Sequence, residues 1–172
     1  TGYLKVLPHP NQKIPFKDPF ADWQAGRPGN YFSSWGPETE LNVTLRMEDL
    51  TQTKIDGFGI VKAGDGIIPW LNNKKTPYDG LRAYNGTIPG PLLIAEPGDT
   101  INIQMENYLK KPAQATNFHA HGLHVSPLGY GDNVLFSLPS GDSWPLSIKV
   151  PDNHHLGLNW YHPHLHEFTT EQ

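Results

Sequence analysis

Downstream of a Pro97-Gly98-Asp99 turn the chain alternates without a break: Ile101, Ile103 and Met105 are apolar, and Asn102, Gln104 and Glu106 are polar. Successive side chains of a strand point to opposite faces, so a period of two fits a strand with one buried face and does not fit a helix. Leu41–Met47 (Leu-Asn-Val-Thr-Leu-Arg-Met) carries the same period, as do Trp144, Leu146, Ile148 and Val150. Lys54–Val61 reads as a weaker strand and Leu92–Ala95 as a short apolar one; Asn117–Val125 and Leu158–His166 read as two more. Residues 62–83 contain Gly64, Gly66, Pro69, Pro77 and Gly80 with no sustained period and read as a long loop, and Tyr84–Pro91 is turn-rich. With 17 Gly and 17 Pro there are turn residues enough to separate many short strands. The pattern predicts an all-β antiparallel sandwich or barrel.

At 172 residues the chain reads as one domain with a core of its own. Residues 1–37 interleave Pro8, Pro10, Pro15, Pro19, Pro28 and Pro37 with Phe16, Phe20, Trp23, Tyr31, Phe32 and Trp35. They are expected to form an extended arm anchored by aromatics on a domain spanning 38–172; a loose tail is the alternative. A formal charge of -4 offers no basic field for nucleic acid or anionic lipid. No apolar run approaches the roughly 20 residues of a membrane helix. The chain has no cysteine, which excludes disulfides, thiolate-bound zinc, iron–sulfur clusters and the thiolate that a type 1 copper needs.

Eight of the nine histidines fall between positions 119 and 166. Two groups stand out: His119-Ala120-His121-Gly122-Leu123-His124 and Tyr161-His162-Pro163-His164-Leu165-His166. On a strand, residues i and i+2 share a face about 6.5–7 Å apart. His119 and His121 are expected on one face, with Phe118 and Ala120 turned into the core; His162 and His164 repeat the arrangement. If the two strands are neighbours, four imidazoles converge. Imidazole suits copper, zinc, iron and nickel. Pro163 donates no ladder hydrogen bond, which predicts an edge or a bulge for the second strand. A surface histidine cluster that picks up metal adventitiously is the other reading. His124 and His166 are expected in supporting or surface roles, and His154-His155 as a loop pair.

Three segments resemble the first domain of multicopper oxidases, the family of laccases, bilirubin oxidases and related metallo-oxidases. They are Tyr84-Asn85-Gly86-Thr87-Ile88-Pro89-Gly90-Pro91 with Glu96-Pro97-Gly98-Asp99-Thr100-Ile101, then His119-x-His121-Gly122, then Trp160-Tyr161-His162-x-His164. The resemblance covers residues 84–166 in the family's order and is weaker before them. It implies a cupredoxin-like Greek-key β-sandwich. It also implies copper, with His119 a ligand of the type 2 ion and His121, His162 and His164 ligands of the type 3 pair. Asp132 falls where the family places an acid beside the type 2 copper, orienting water and moving protons; a plain turn aspartate after Gly131 is the alternative. The family often has Gly after this Asp, where this chain has Asn133.

Four His-x-His segments make a complete family member, and only the first two are present, with no cysteine motif. The resemblance therefore implies one domain of a longer protein, partnered by the remaining cupredoxin domains. It implies dioxygen as the electron acceptor, reduced to water as another domain oxidises substrate one electron at a time, in a periplasmic or extracellular setting. The isolated chain is expected to have negligible oxidase activity. Two other classes fit the same residues: a stand-alone copper-binding module without turnover, and a structural sandwich that associates through its arm and exposed edge.

Overall fold

The computed structural model describes residues 2–6, 31–33, 40–50, 52–55, 59–62, 81–87, 89–110, 114–166 and 169. In chain order the strands are β1 (Gly2–Val6), β2 (Tyr31–Ser33), β3 (Glu40–Leu50), β4 (Gln52–Ile55), β5 (Gly59–Lys62), β6 (Leu81–Tyr84), β7 (Leu92–Ala95), β8 (Thr100–Tyr108), β9 (His119–His121), β10 (Ser143–Lys149) and β11 (Gly157–His162). Among the described residues there is no helix. One sheet runs β2-β7-β1-β11-β9 and a second runs β10-β8-β3-β6; β4 and β5 form a separate antiparallel pair.

The two large sheets bury a common core. Leu41, Val43, Leu45 and Met47 of β3 join Ile101, Ile103 and Met105 of β8 and Leu146 and Ile148 of β10. The other sheet contributes Leu4, Leu93, Ala95, Ala120 and Tyr161. The alternation of β8 is realised residue by residue, with Ile101, Ile103, Met105 and Asn107 buried and the intervening side chains half-buried. β3 lies parallel to β8 and β10 antiparallel to it, so the three alternating segments are adjacent. Pro145 sits in β10, an edge strand, where a missing N–H costs no ladder bond.

The core is closed above the first sheet by aromatic rings. Tyr161 packs edge-on to Tyr84 at 5.1 Å and stacks on Phe118 at 5.2 Å. Its hydroxyl donates to Pro91 O at 2.7 Å, and that of Tyr84 donates to Asn117 O at 3.3 Å. Burial holds both phenols well above the ordinary value of 10. Gly2 pairs with Tyr161, and a Cβ there would collide with the tyrosine ring.

Several elements differ from the sequence expectation. Lys54–Val61 is two strands rather than one; the Asp56-Gly57 pair, a strong hairpin signal, lies between them. The end of the expected 62–83 loop is β6, and residues 63–80 lie outside the described residues. Strand Asn117–Val125 is only His119–His121 long, because Gly122 turns the chain with φ 91. Within 1–37, Gly2–Val6 and Tyr31–Ser33 are strands of the first sheet, and residues 7–30 and 34–37, with His9, lie outside the described residues. β11 is not the expected edge strand: β1 pairs on its other side, and β9 is the edge. Pro163 lies just beyond the end of β11, where it interrupts no ladder.

Replacing Tyr161 by Phe leaves the Pro91 carbonyl without its buried donor. The substitution is expected to cost about 1–3 kcal/mol, read as a lower urea midpoint at unchanged slope.

Candidate metal centre

β9 and β11 run antiparallel with Trp160 opposite His121, Tyr161 opposite Ala120 and His162 opposite His119. The pleat then sorts the side chains. Ala120, Tyr161 and neighbouring Phe118 are buried in the core, and His119, His121, Trp160 and His162 share the other face. The ring of His119 lies 5.5 Å from that of His121, 5.3 Å from His162 and 5.1 Å from His164. One ring nitrogen from each of His119, His121 and His162 falls within 4.8 Å of the others. His164, past the end of β11, is exposed and stands beside His119 and His162, its nitrogens outside that group of three.

Fixed oxygen atoms behind the rings decide which nitrogen faces the site. His119 Nδ1 lies 2.8 Å from Asp132 Oδ2, and Asp132 Oδ1 accepts the Ala120 N–H at 2.7 Å. Asp132 is buried and spans two consecutive residues of β9. With a proton on Nδ1 toward the carboxylate, His119 presents a bare Nε2. His162 repeats the device with a main-chain oxygen: Nδ1 donates to Pro163 O at 2.7 Å, leaving Nε2 3.4 Å from His121 Nδ1. Trp160 stacks on His121 at 4.7 Å and on His162 at 4.1 Å, limiting how either ring turns.

The turn after His121 is shaped by Gly122. A Cβ at that position would sit 2.7 Å from Asn159 Oδ1, so a side chain there is both strained and obstructed. The loop that delivers Asp132 is tied back through its main chain, Asp132 N–H donating to Ser126 O at 2.9 Å. Its approach is close enough that a Cβ on Gly131 would collide with the Ser126 carbonyl.

The remaining histidines separate from this face. His154 is buried; its Nε2 accepts the His124 N–H at 3.0 Å and its Nδ1 donates to His155 O at 2.8 Å. Both nitrogens are engaged, so His154 pins two loops together. His124 and His155 are exposed, with rings 5.0 Å apart. His166 is in an exposed turn. The sequence reading missed Asn117, whose side chain is hydrogen-bonded to His164; no periodicity signals such a contact, because the bonded atoms belong to distant main chain.

Burial, ahead of repulsion from the neighbouring imidazoles, lowers the pKa of His162 below its ordinary 6.5, against an opposing hydrogen bond to Pro163. Between that lowered value and about 6.5 the unfolded chain binds more protons than the folded one, so stability rises with pH across that window. The metal-free chain is therefore expected to weaken as pH falls through it. Denaturant titrations at several pH values check this, and His162→Gln should flatten the slope.

A family model described as multicopper oxidase matches residues 70–172, more than half of the chain. Laccase-4 of Thanatephorus cucumeris is 34% identical over 103 residues, covering 55% of this chain and 19% of that protein. Dihydrogeodin oxidase of Aspergillus terreus is 32% identical over 122 residues, covering 68% and 20%. Among solved structures, a multicopper oxidase from Campylobacter jejuni, a metallo-oxidase, superposes with a TM-score of 0.54 at 21% identity over 99% of this chain and 27% of its own. That likeness establishes the fold as a cupredoxin-like β-sandwich. The chain spans about a fifth of the length of the curated relatives it matches. On the match that runs through both His-x-His segments, the chain belongs to the multicopper oxidase family.

Proposed function

We propose that this chain supplies half of the histidine ligands of an oxygen-reducing copper cluster: His119 for the type 2 ion, and His121, His162 and His164 for the type 3 pair. The observation that carries the reading is the convergence of His119, His121 and His162 nitrogens within 4.8 Å. The donor set fits copper. It is all imidazole, two of its Nε2 atoms are bared by hydrogen bonds at Nδ1, and the lowered pKa of His162 keeps that ring in its neutral, ligating form. Bound copper would supply the one-electron chemistry that couples substrate oxidation in another domain to reduction of dioxygen to water.

The chain's own part is to hold ligands and manage protons. Asp132 faces Nδ1 of His119 and orients the ring so that Nε2 points to the site. As a proton relay it would exchange a proton with His119 through Oδ2 while Oδ1 stays on the Ala120 N–H. Trp160 and the buried backing of Tyr161 keep the two strands in register beneath the rings. With no cysteine in this chain, the reading assigns the electron-accepting type 1 site to another cupredoxin domain. On the family's pattern we place that protein in the periplasm or outside the cell, with neither nucleic acid nor membrane as a partner.

Double substitution of His119 and His121 by Ala is expected to abolish tight Cu(II) binding, measured by chelator competition; unchanged affinity would count against the site. Asp132→Ala is expected to weaken it about 10–100-fold. The purified chain with copper should not turn over a laccase dye, and turnover would mean that it needs no second domain.

A further inference from the structure

β11 ends at His162, so His164 lies beyond the ladder that positions its neighbour. One side chain takes over. The His164 N–H donates to Asn117 Oδ1 at 2.6 Å. Asn117 is itself 1% exposed, and its Nδ2 donates to Val134 O at 2.9 Å and Phe136 O at 3.1 Å. Asn117 precedes His119 by two residues, and Val134 follows Asp132 by two. A single buried carboxamide thus links the three segments that carry His119, Asp132 and His164. Three of its four hydrogen-bonding positions are used on main-chain atoms. Its main-chain oxygen also accepts from the Tyr84 hydroxyl, which fixes the residue against the core.

We propose that Asn117 is a positioning residue of the metal centre, setting where His164 and the Asp132 loop stand relative to the histidines of β9. The role rests on the copper-site reading above. Asn107 provides the comparison. It is equally buried, and its Nδ2 donates to Gln114 O and Leu138 O at 2.9 Å while its Oδ1 accepts the Leu109 N–H at 3.0 Å. It stitches the same two connections together and bonds to none of the histidines through its side chain.

The test is Cu(II) affinity by chelator competition in Asn117→Ala, Asn107→Ala and the His119→Ala/His121→Ala double variant, below the melting temperature of each. Asn117→Ala is expected to lose about tenfold or more, and Asn107→Ala to stay near the unsubstituted value. Equal losses in the two asparagine variants would reduce Asn117 to a structural clamp and overturn the proposal. So would full affinity in Asn117→Ala alongside loss in the double histidine variant. Full affinity in the double histidine variant would instead overturn the copper site. Amide exchange in the unsubstituted chain gives an arm that needs no variant to fold. The His164 amide should be protected like a strand amide, and exchange at the rate of an exposed loop amide would also overturn the proposal.

Discussion

The ladder between β9 and β11 is three residues long, and the histidine face depends on its register. With His162 opposite His119 and Tyr161 opposite Ala120, every imidazole of the cluster rises on one side and every core residue falls on the other. A slip of one residue would send the histidines inward and the tyrosine out, because side chains alternate with each step. So short a ladder does not fix its own register. Tyr161 fixes it from below, wedged between Tyr84 and Phe118 with its hydroxyl on Pro91 O, and Gly2 leaves room for the ring from the neighbouring strand. The hydrophobic core and the histidine face are thus two sides of one constraint.

Above that ladder, the chemistry is set by oxygen atoms behind the rings. Asp132 and Pro163 O each face an Nδ1, and each turns an ambiguous imidazole into one with a defined free nitrogen. The two devices differ in cost and in use. A main-chain carbonyl is always present and never changes charge. A carboxylate adds charge and can hold a proton, which suits the residue proposed as a relay. Asn117 extends the same logic from rings to main chain, holding the His164 segment where no strand continues.

Much of this was legible in order of residues alone. The alternation in β3, β8 and β10 placed three strands with their inward faces correct, since burial of an alternating strand requires only its own sequence. The i, i+2 spacing put His119 and His121 on one face and Phe118 and Ala120 on the other for the same reason. What failed were features with distant causes. β11 reads as an edge strand because of Pro163, yet β1, more than 150 residues earlier in the chain, pairs on its free side. The Asn117–Val125 stretch reads as a long strand, yet Gly122 ends it after His121. His124 is expected in a supporting or surface role and His154-His155 as a loop pair, yet the contact between His124 and His154, which engages both nitrogens of His154, comes only from tertiary structure.

By itself the sequence determined the fold class, the absence of a thiolate site and the four imidazoles on strand-like spacing, because each is a local property of residue type and period. Tertiary structure alone decided that two short segments 40 residues apart become neighbours with His119 facing His162. It also decided which nitrogen of His119 and of His162 faces the site and that an asparagine holds His164. Those outcomes depend on pairing and hydrogen bonding between atoms far apart in the chain, and no local pattern records them.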